Sequence, residues 1–190
     1  MNHKLTVKKL ACALSVLVLC SLFFAAYAGK GKGNVPAQPK IEVKQIDAQR
    51  AVVIKVTVVA SELMNKMGEL YGKLFSYLGT NNITPAGPPF AVYYEYNPQG
   101  NVTLEAGVPV SVTVKDNDEI KYKEYPDMKV VSTLYVGPYD KMAPIYESIQ
   151  KYIKDNNLQQ AGATWEIYLT NPQEEQDKSK YQTVIYFPVK

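Results

Sequence analysis

The chain has 190 residues, 46% of them hydrophobic and 21% charged, with a formal net charge of +3, a composition that suits one folded domain with a real core. Both cysteines (Cys12 and Cys20) and the only histidine (His3) lie in the first twenty residues, and Arg50 is the only arginine. The remainder therefore lacks thiol nucleophiles, Ser-His-Asp triads, zinc sites built on His or Cys and histidine-ligated haem, and arginine forks for phosphate are nearly excluded.

The first segment carries a targeting pattern. Lys4, Lys8 and Lys9 precede an apolar run from Leu10 to Ala26, and Ala26-Tyr27-Ala28 has the small-x-small form that signal peptidase cuts. The pattern predicts a signal peptide over residues 1–28 and an exported protein, periplasmic or extracellular. Removing it takes three lysines and brings the net charge to zero, so the basic precursor is no argument for nucleic acid. Leu19 is bulky for the residue before a lipoprotein cysteine at Cys20. The apolar run is near the lower limit for a membrane span. A lipid anchor and an uncleaved signal anchor stand as the alternatives, and membrane contact is expected only through this segment. Residues 29–44, rich in Gly, Lys and Pro, read as a flexible tether, with the fold starting near Glu42 to Asp47.

An internal repeat follows. At a constant spacing of 75, Lys66, Met67, Tyr71, Tyr77, Asn81, Asn82, Ala86, Gly87 and Tyr93 recur as Lys141, Met142, Tyr146, Tyr152, Asn156, Asn157, Ala161, Gly162 and Tyr168. Each copy opens with a β-branched run, Ala51 to Val59 or Met128 to Val136, and Ser61 or Asp140 is placed as the helix N-cap. Apolar stripes at helical spacing follow: Leu63, Met67, Leu70, Leu74 and Leu78, then Met142, Ile145, Ile149 and Ile153. Pro144 falls in a first turn, where a missing donor is tolerated. The Asn pairs supply left-handed stops. Strands are predicted over 89–96 and 164–170, then 102–114 and 181–189.

The prediction is an α+β fold: strand, helix, strand, strand, twice over about a pseudo-twofold axis, with halves at about 45–115 and 119–190. One antiparallel sheet should carry both helices on one face and a concave groove on the other. Fourteen of the fifteen tyrosines follow residue 28, which suits a groove for a flat or greasy guest as well as plain sheet packing.

Val136-Gly-Pro-Tyr-Asp140, Tyr146, Ala161-Gly162 and Trp165-Glu-Ile-Tyr-Leu-Thr-Asn-Pro172 resemble the GyrI-like small-molecule-binding domain, the effector-binding domain of AraC- and MerR-type multidrug regulators. Glu105-Ala-Gly-Val-Pro-Val110 resembles the family's mid-domain strand. The resemblance implies a tandem α+β module that binds lipophilic, often cationic, molecules, in a family that also includes gyrase inhibitors and hydrolases of cyclopropane-bearing toxins. It implies an acidic residue at the groove floor, which falls on Glu166. The segment before the module reads as signal and tether, so neither DNA binding nor a nucleic-acid partner is expected. Export would also remove gyrase as a target.

Strand alternation is expected to put Trp165, Ile167 and Leu169 under the helices and Glu166 and Tyr168 in the groove. In the first copy it puts Phe90, Val92 and Tyr94 under the helices and Ala91, Tyr93 and Glu95 in the groove. Ala91, the counterpart of Glu166, would leave room for a guest. Glu166, Tyr168 and Tyr93 are the main site candidates, against the plainer reading of a solvated strand carboxylate and packed tyrosines. Tyr186, Glu95 and Ala91 are secondary, and Glu105 is read as rim, core or surface. Asp116-Asn-Asp-Glu119 lacks calcium-loop spacing. No metal or cofactor is expected.

Three functions compete. One is an exported sensor or scavenger binding a small lipophilic or cationic molecule through Glu166. The second is a metal-independent hydrolase with Glu166 as acid or base. The third is a protein-interaction module using the open sheet face.

Overall fold

The computed structural model describes residues 40–190. The expected signal peptide and residues 29–39 of the expected tether lie outside the described residues. The strands are β1 (Glu42–Ile46), β2 (Gln49–Val59), β3 (Phe90–Tyr96), β4 (Asn101–Pro109), β5 (Lys121–Tyr125), β6 (Met128–Val136), β7 (Thr164–Tyr168) and β8 (Gln182–Pro188). The helices are α1 (Leu63–Thr80) and α2 (Ala143–Asp155). All eight strands form one antiparallel sheet in the order β1-β6-β8-β7-β3-β4-β2-β5. The fold is α+β, a curled sheet with two helices.

The duplication is visible in the pairing. Ala51 pairs with Pro109 in the first half as Val130 pairs with Pro188 in the second. At the centre β3 meets β7 with Phe90 opposite Ile167, Ala91 opposite Glu166 and Val92 opposite Trp165. Exchanging each residue for its repeat partner returns the same pairs, so the pseudo-twofold axis passes between Ala91 and Glu166.

Two strands escaped the sequence reading. β1 (EVKQI) lies partly in the stretch read as tether, and β5 (KYKEY) in the stretch between the halves. Both are short, charged and at the sheet edges, a composition that guards edges against further pairing and resembles linker. They are also exchanged: β1 precedes the first copy and pairs with β6 of the second, while β5 precedes the second and pairs with β2 of the first.

The helical stripes are buried as patterned. Met67, Leu70, Leu74 and Leu78 of α1 pack on Val52, Ile54, Leu104 and Ala106, and Ile149 and Ile153 of α2 pack on Val131, Ile185 and Phe187. Each such side chain contributes about 1.5–3 kcal/mol on full burial. Both helices stop alike. Asn82 and Asn157 each take φ 54°, and Ile83 and Leu158 donate back to the Leu78 and Ile153 carbonyls at 2.9 and 3.0 Å, which satisfies end carbonyls. The preceding Asn81 and Asn156 side chains donate to the Tyr77 and Tyr152 carbonyls. The repeated Tyr and Asn positions are this stop.

The helix starts differ from expectation. Neither Ser61 nor Asp140 caps a helix; each lies in a 3-10 turn, Ala60–Glu62 or Tyr139–Lys141, with no capping side chain. The turns bond their own backbones, Leu63 and Met142 donating to the Ala60 and Tyr139 carbonyls, which removes the need for a side-chain acceptor.

Gly107 of β4 lies under the Phe90 ring, where an added Cβ would stand 2.4 Å from Cζ, whereas one at exposed Gly72 in α1 would meet nothing. Gly107→Ala should destabilise the protein by about 1–3 kcal/mol through overpacking. Gly72→Ala should stabilise it by roughly 0.8–1 kcal/mol through helix propensity. Urea unfolding of the two variants checks the opposite signs.

Candidate functional site

The two sheet faces carry different chemistry, and the alternation expected from sequence has the opposite phase. Ala91 packs with the α1 side chains, and Tyr93 and Tyr168 pack against that cluster. Phe90, Val92 and Trp165 form a separate cluster with Ala51, Val53 and Tyr125 that contains no helical residue. Glu166, Tyr168, Tyr93 and Ala91 therefore lie on the helix side of the sheet, not in the groove on the other side. The misassignment has a physical cause. A curled sheet buries both faces, so the bulkier apolar set need not face the helices, and here it fills the inside of the curl.

Glu166 is the centre of the helix-side cluster. It is 9% exposed. One oxygen accepts a hydrogen bond from the Tyr146 hydroxyl of α2, and the other accepts from the Tyr168 hydroxyl at 2.8 Å. The Tyr168 and Tyr93 hydroxyls are 3.1 Å apart. From α1, Tyr71 donates to the Phe90 carbonyl at 2.7 Å and sets its ring edge-to-face with Tyr168, centroids 6.1 Å apart. Tyr139, in the turn before α2, meets Tyr168 edge-to-face at 5.8 Å. Among the described residues no lysine or arginine forms an ion pair with Glu166, although nine ion pairs form elsewhere.

The electrostatics follow from that packing. Burial raises the Glu166 pKa, and hydrogen bonds from Tyr146, Tyr168 and Tyr93 oppose the rise without cancelling it. Burial together with the Glu166 charge pushes Tyr71, Tyr93, Tyr146 and Tyr168 well above the usual tyrosine range. Tyr139 is pushed up to about 12 by burial, Tyr181 and Glu166. The tyrosines are thus fixed as hydroxyl donors and ring faces at neutral pH.

The secondary candidates scatter. Ala91 is fully buried directly across the ladder from Glu166. Glu95 is exposed and accepts from Thr103 at 3.3 Å. A register shift between Tyr93 and Glu95 inserts Tyr94, which turns Glu95 away from the helix side and brings Tyr96 back beside Tyr93 at 6.4 Å. Tyr186 pairs with Trp165, on the face opposite the helices. Glu105, also on that face, is buried and held by Tyr125, Tyr94 and Lys123, the lysine at 2.8 Å. Tyr71, Tyr146 and Tyr139 belong to the cluster without being among the residues expected from sequence. The signal for the first two was present, since they are one of the repeated pairs and lie beside the apolar stripe. Among the described residues no group of three His, Cys, Asp or Glu side chains could hold a metal.

The model of the GyrI-like small-molecule-binding domain family matches residues 39–190. No curated protein matches the chain. Among solved structures, the C-terminal domain of EcmrR has a TM-score of 0.69 at 20% identity, covering 80% of this chain and 98% of that one. Against the EcmrR chain in a DNA complex the TM-score is 0.68 at 22% identity, and the match covers 80% of this chain but 57% of that one. A hydrolase from Listeria innocua gives 0.61 at 12% identity, over 83% and 95% of the two chains. SAV2435, solved bound to tetraphenylphosphonium, gives 0.52 at 16%, over 80% and 94%. At these identities the likeness shows the fold alone.

A carboxyl group with a higher pKa folded than unfolded favours folding at low pH and costs stability as the pH rises from the unfolded value through the folded one. Glu166→Gln should therefore raise the melting temperature at pH 8. The gain should vanish toward pH 4. Thermal melts of both proteins across that range check it.

Proposed function

Because the chain belongs to the GyrI-like small-molecule-binding domain family, we propose that it binds lipophilic, cationic small molecules outside the cytoplasm, as a sensor or scavenger, with Glu166 as the charge partner. One observation carries the reading: a buried carboxyl group held by tyrosine hydroxyls that forms no ion pair among the described residues. An organic cation supplies the missing charge. Coulomb attraction strengthens as water is excluded, and each well-placed ring face adds roughly 0.5–2 kcal/mol. Tyr71 and Tyr146 come from different helices, so a guest that parts the helices exchanges hydroxyl contacts for ring contacts without leaving the carboxylate bare. The tetraphenylphosphonium in SAV2435 supplies a suitable probe. The location outside the cytoplasm rests on the leader pattern of residues 1–28.

A second reading, a metal-independent hydrolase, draws on the same contact. A carboxyl with a raised pKa bonded to tyrosine hydroxyls has the makings of a general acid–base pair, and a hydrolase from Listeria innocua shares the fold. Ring-opened product from a cyclopropane-bearing electrophile, at a rate abolished by Glu166→Gln, would decide for it.

Tetraphenylphosphonium titrated by calorimetry should bind wild type at least tenfold more tightly than Glu166→Gln, about 1.4 kcal/mol. Affinity should fall as the pH drops and the carboxyl takes up its proton. Equal affinity in the two proteins at pH 8 would end the proposal. Intact-mass analysis of protein from a secreting host should find a chain that begins at Gly29; retention of residues 1–28 would overturn the cleavage.

A further inference from the structure

The face opposite the helices holds a cavity that the Glu166 site does not use. Its volume is about 910 Å³, within the range of ligand pockets. The sheet curls around it: β1 and β5 lie at opposite ends of the strand order, yet Ile46 of β1 and Glu124 and Tyr125 of β5 all line it. Gln45 at the end of β1 closes toward Asp127, after β5, with a 3.0 Å hydrogen bond.

The floor is aromatic. Phe90 and Trp165 stack with centroids 5.0 Å apart, and Tyr125 meets Trp165 edge-to-face at 4.6 Å. Gly107 allows this floor, since any side chain there would strike Phe90. Met128, Ile167 and Tyr186 form half-buried apolar walls, so whatever occupies the space lies against rings and aliphatic carbon.

The carboxylates nearby are already matched, and the lysine over the wall, Lys44, lies on the Tyr186 ring at 4.9 Å. The Tyr125 hydroxyl donates to Glu105, whose carboxylate also takes Lys123 at 2.8 and 3.1 Å. At the mouth Arg50 and Glu124 face each other at 3.5 Å. A cationic guest would find both carboxylates taken and pay its desolvation unaided, and an anionic one would have to draw Lys44 off the Tyr186 ring. An uncharged one gains the burial of apolar area, about 25 cal/mol per Å².

We infer that this cavity is a second binding site, for an uncharged, flat, largely apolar molecule, independent of the cation site across the sheet. Glu166 and Trp165 are adjacent in β7 and point to opposite faces, so the sheet itself separates the two sites.

Trp165, the only tryptophan, reports from the cavity floor. The neutral probe N-phenyl-1-naphthylamine should quench it saturably, with one site per chain and an affinity that is flat from pH 5 to 8. Glu166→Gln should change that affinity less than twofold, and saturating tetraphenylphosphonium should not displace the probe. Ala48→Phe, which fills the mouth from an exposed position, and Ile167→Lys, which charges the wall, should each weaken binding at least tenfold. If Ile167→Lys loses its melting transition, Ala48→Phe carries the comparison. Non-saturating quenching, displacement by tetraphenylphosphonium, a parallel loss in Glu166→Gln, indifference to the cavity variants, or a dimer that shuts out the probe would each overturn the inference.

Discussion

One carboxyl group, buried where the two halves of the sheet meet, organises the helix side of this protein. Glu166 lies beside the pseudo-twofold axis, and its counterpart Ala91 is its direct partner in the ladder. Had duplication kept an acid at both positions, two carboxylates would face each other across one strand spacing, where like charges repel and one proton must be retained. Asymmetry at this point spares the fold that repulsion. Around it the symmetry persists. Tyr71 and Tyr146 come from equivalent helix positions and Tyr93 and Tyr168 from equivalent strand positions, so four related tyrosines surround one acid.

The tyrosines also explain how such a group is tolerated without a guest. A buried carboxylate without partners is costly. Tyr146 and Tyr168 supply hydrogen bonds and leave the group's net charge unmatched. This differs from Glu105 on the other face, which has a lysine beside it and so carries no comparable demand. Of the two acids buried among the described residues, one is electrically complete and the other is not.

Much of this was legible in the sequence. The repeat, both helices, the six central strands and the left-handed asparagine stops follow from periodicity and from identities that extend past the helix ends. Glu166, Tyr168 and Tyr93 were named together, and they do lie together. The phase of the alternation was lost because both faces of a curled sheet are buried, and hydrophobicity then carries no direction. β1 and β5 were lost because guarded edges look like linker. Glu95 was lost to the extra residue at Tyr94, since an inserted residue reverses every side chain beyond it and leaves no mark on composition. Tyr71 and Tyr146 were in view as a repeated pair, but a tyrosine beside an apolar stripe reads as core until a strand carboxylate is known to lie beneath it.

The central claim is that Glu166 is a shielded acid whose charge a cationic guest completes. Carbon-13 labelling of the glutamate carboxyls, with Glu166 assigned through Glu166→Gln, reads its titration directly by NMR. Free protein should show Glu166 titrating above the ordinary carboxylate range, as its burial requires, and saturation with tetraphenylphosphonium should move that titration to lower pH. A carboxyl that titrates at the ordinary glutamate value, and does so alike with and without the cation, would contradict the account.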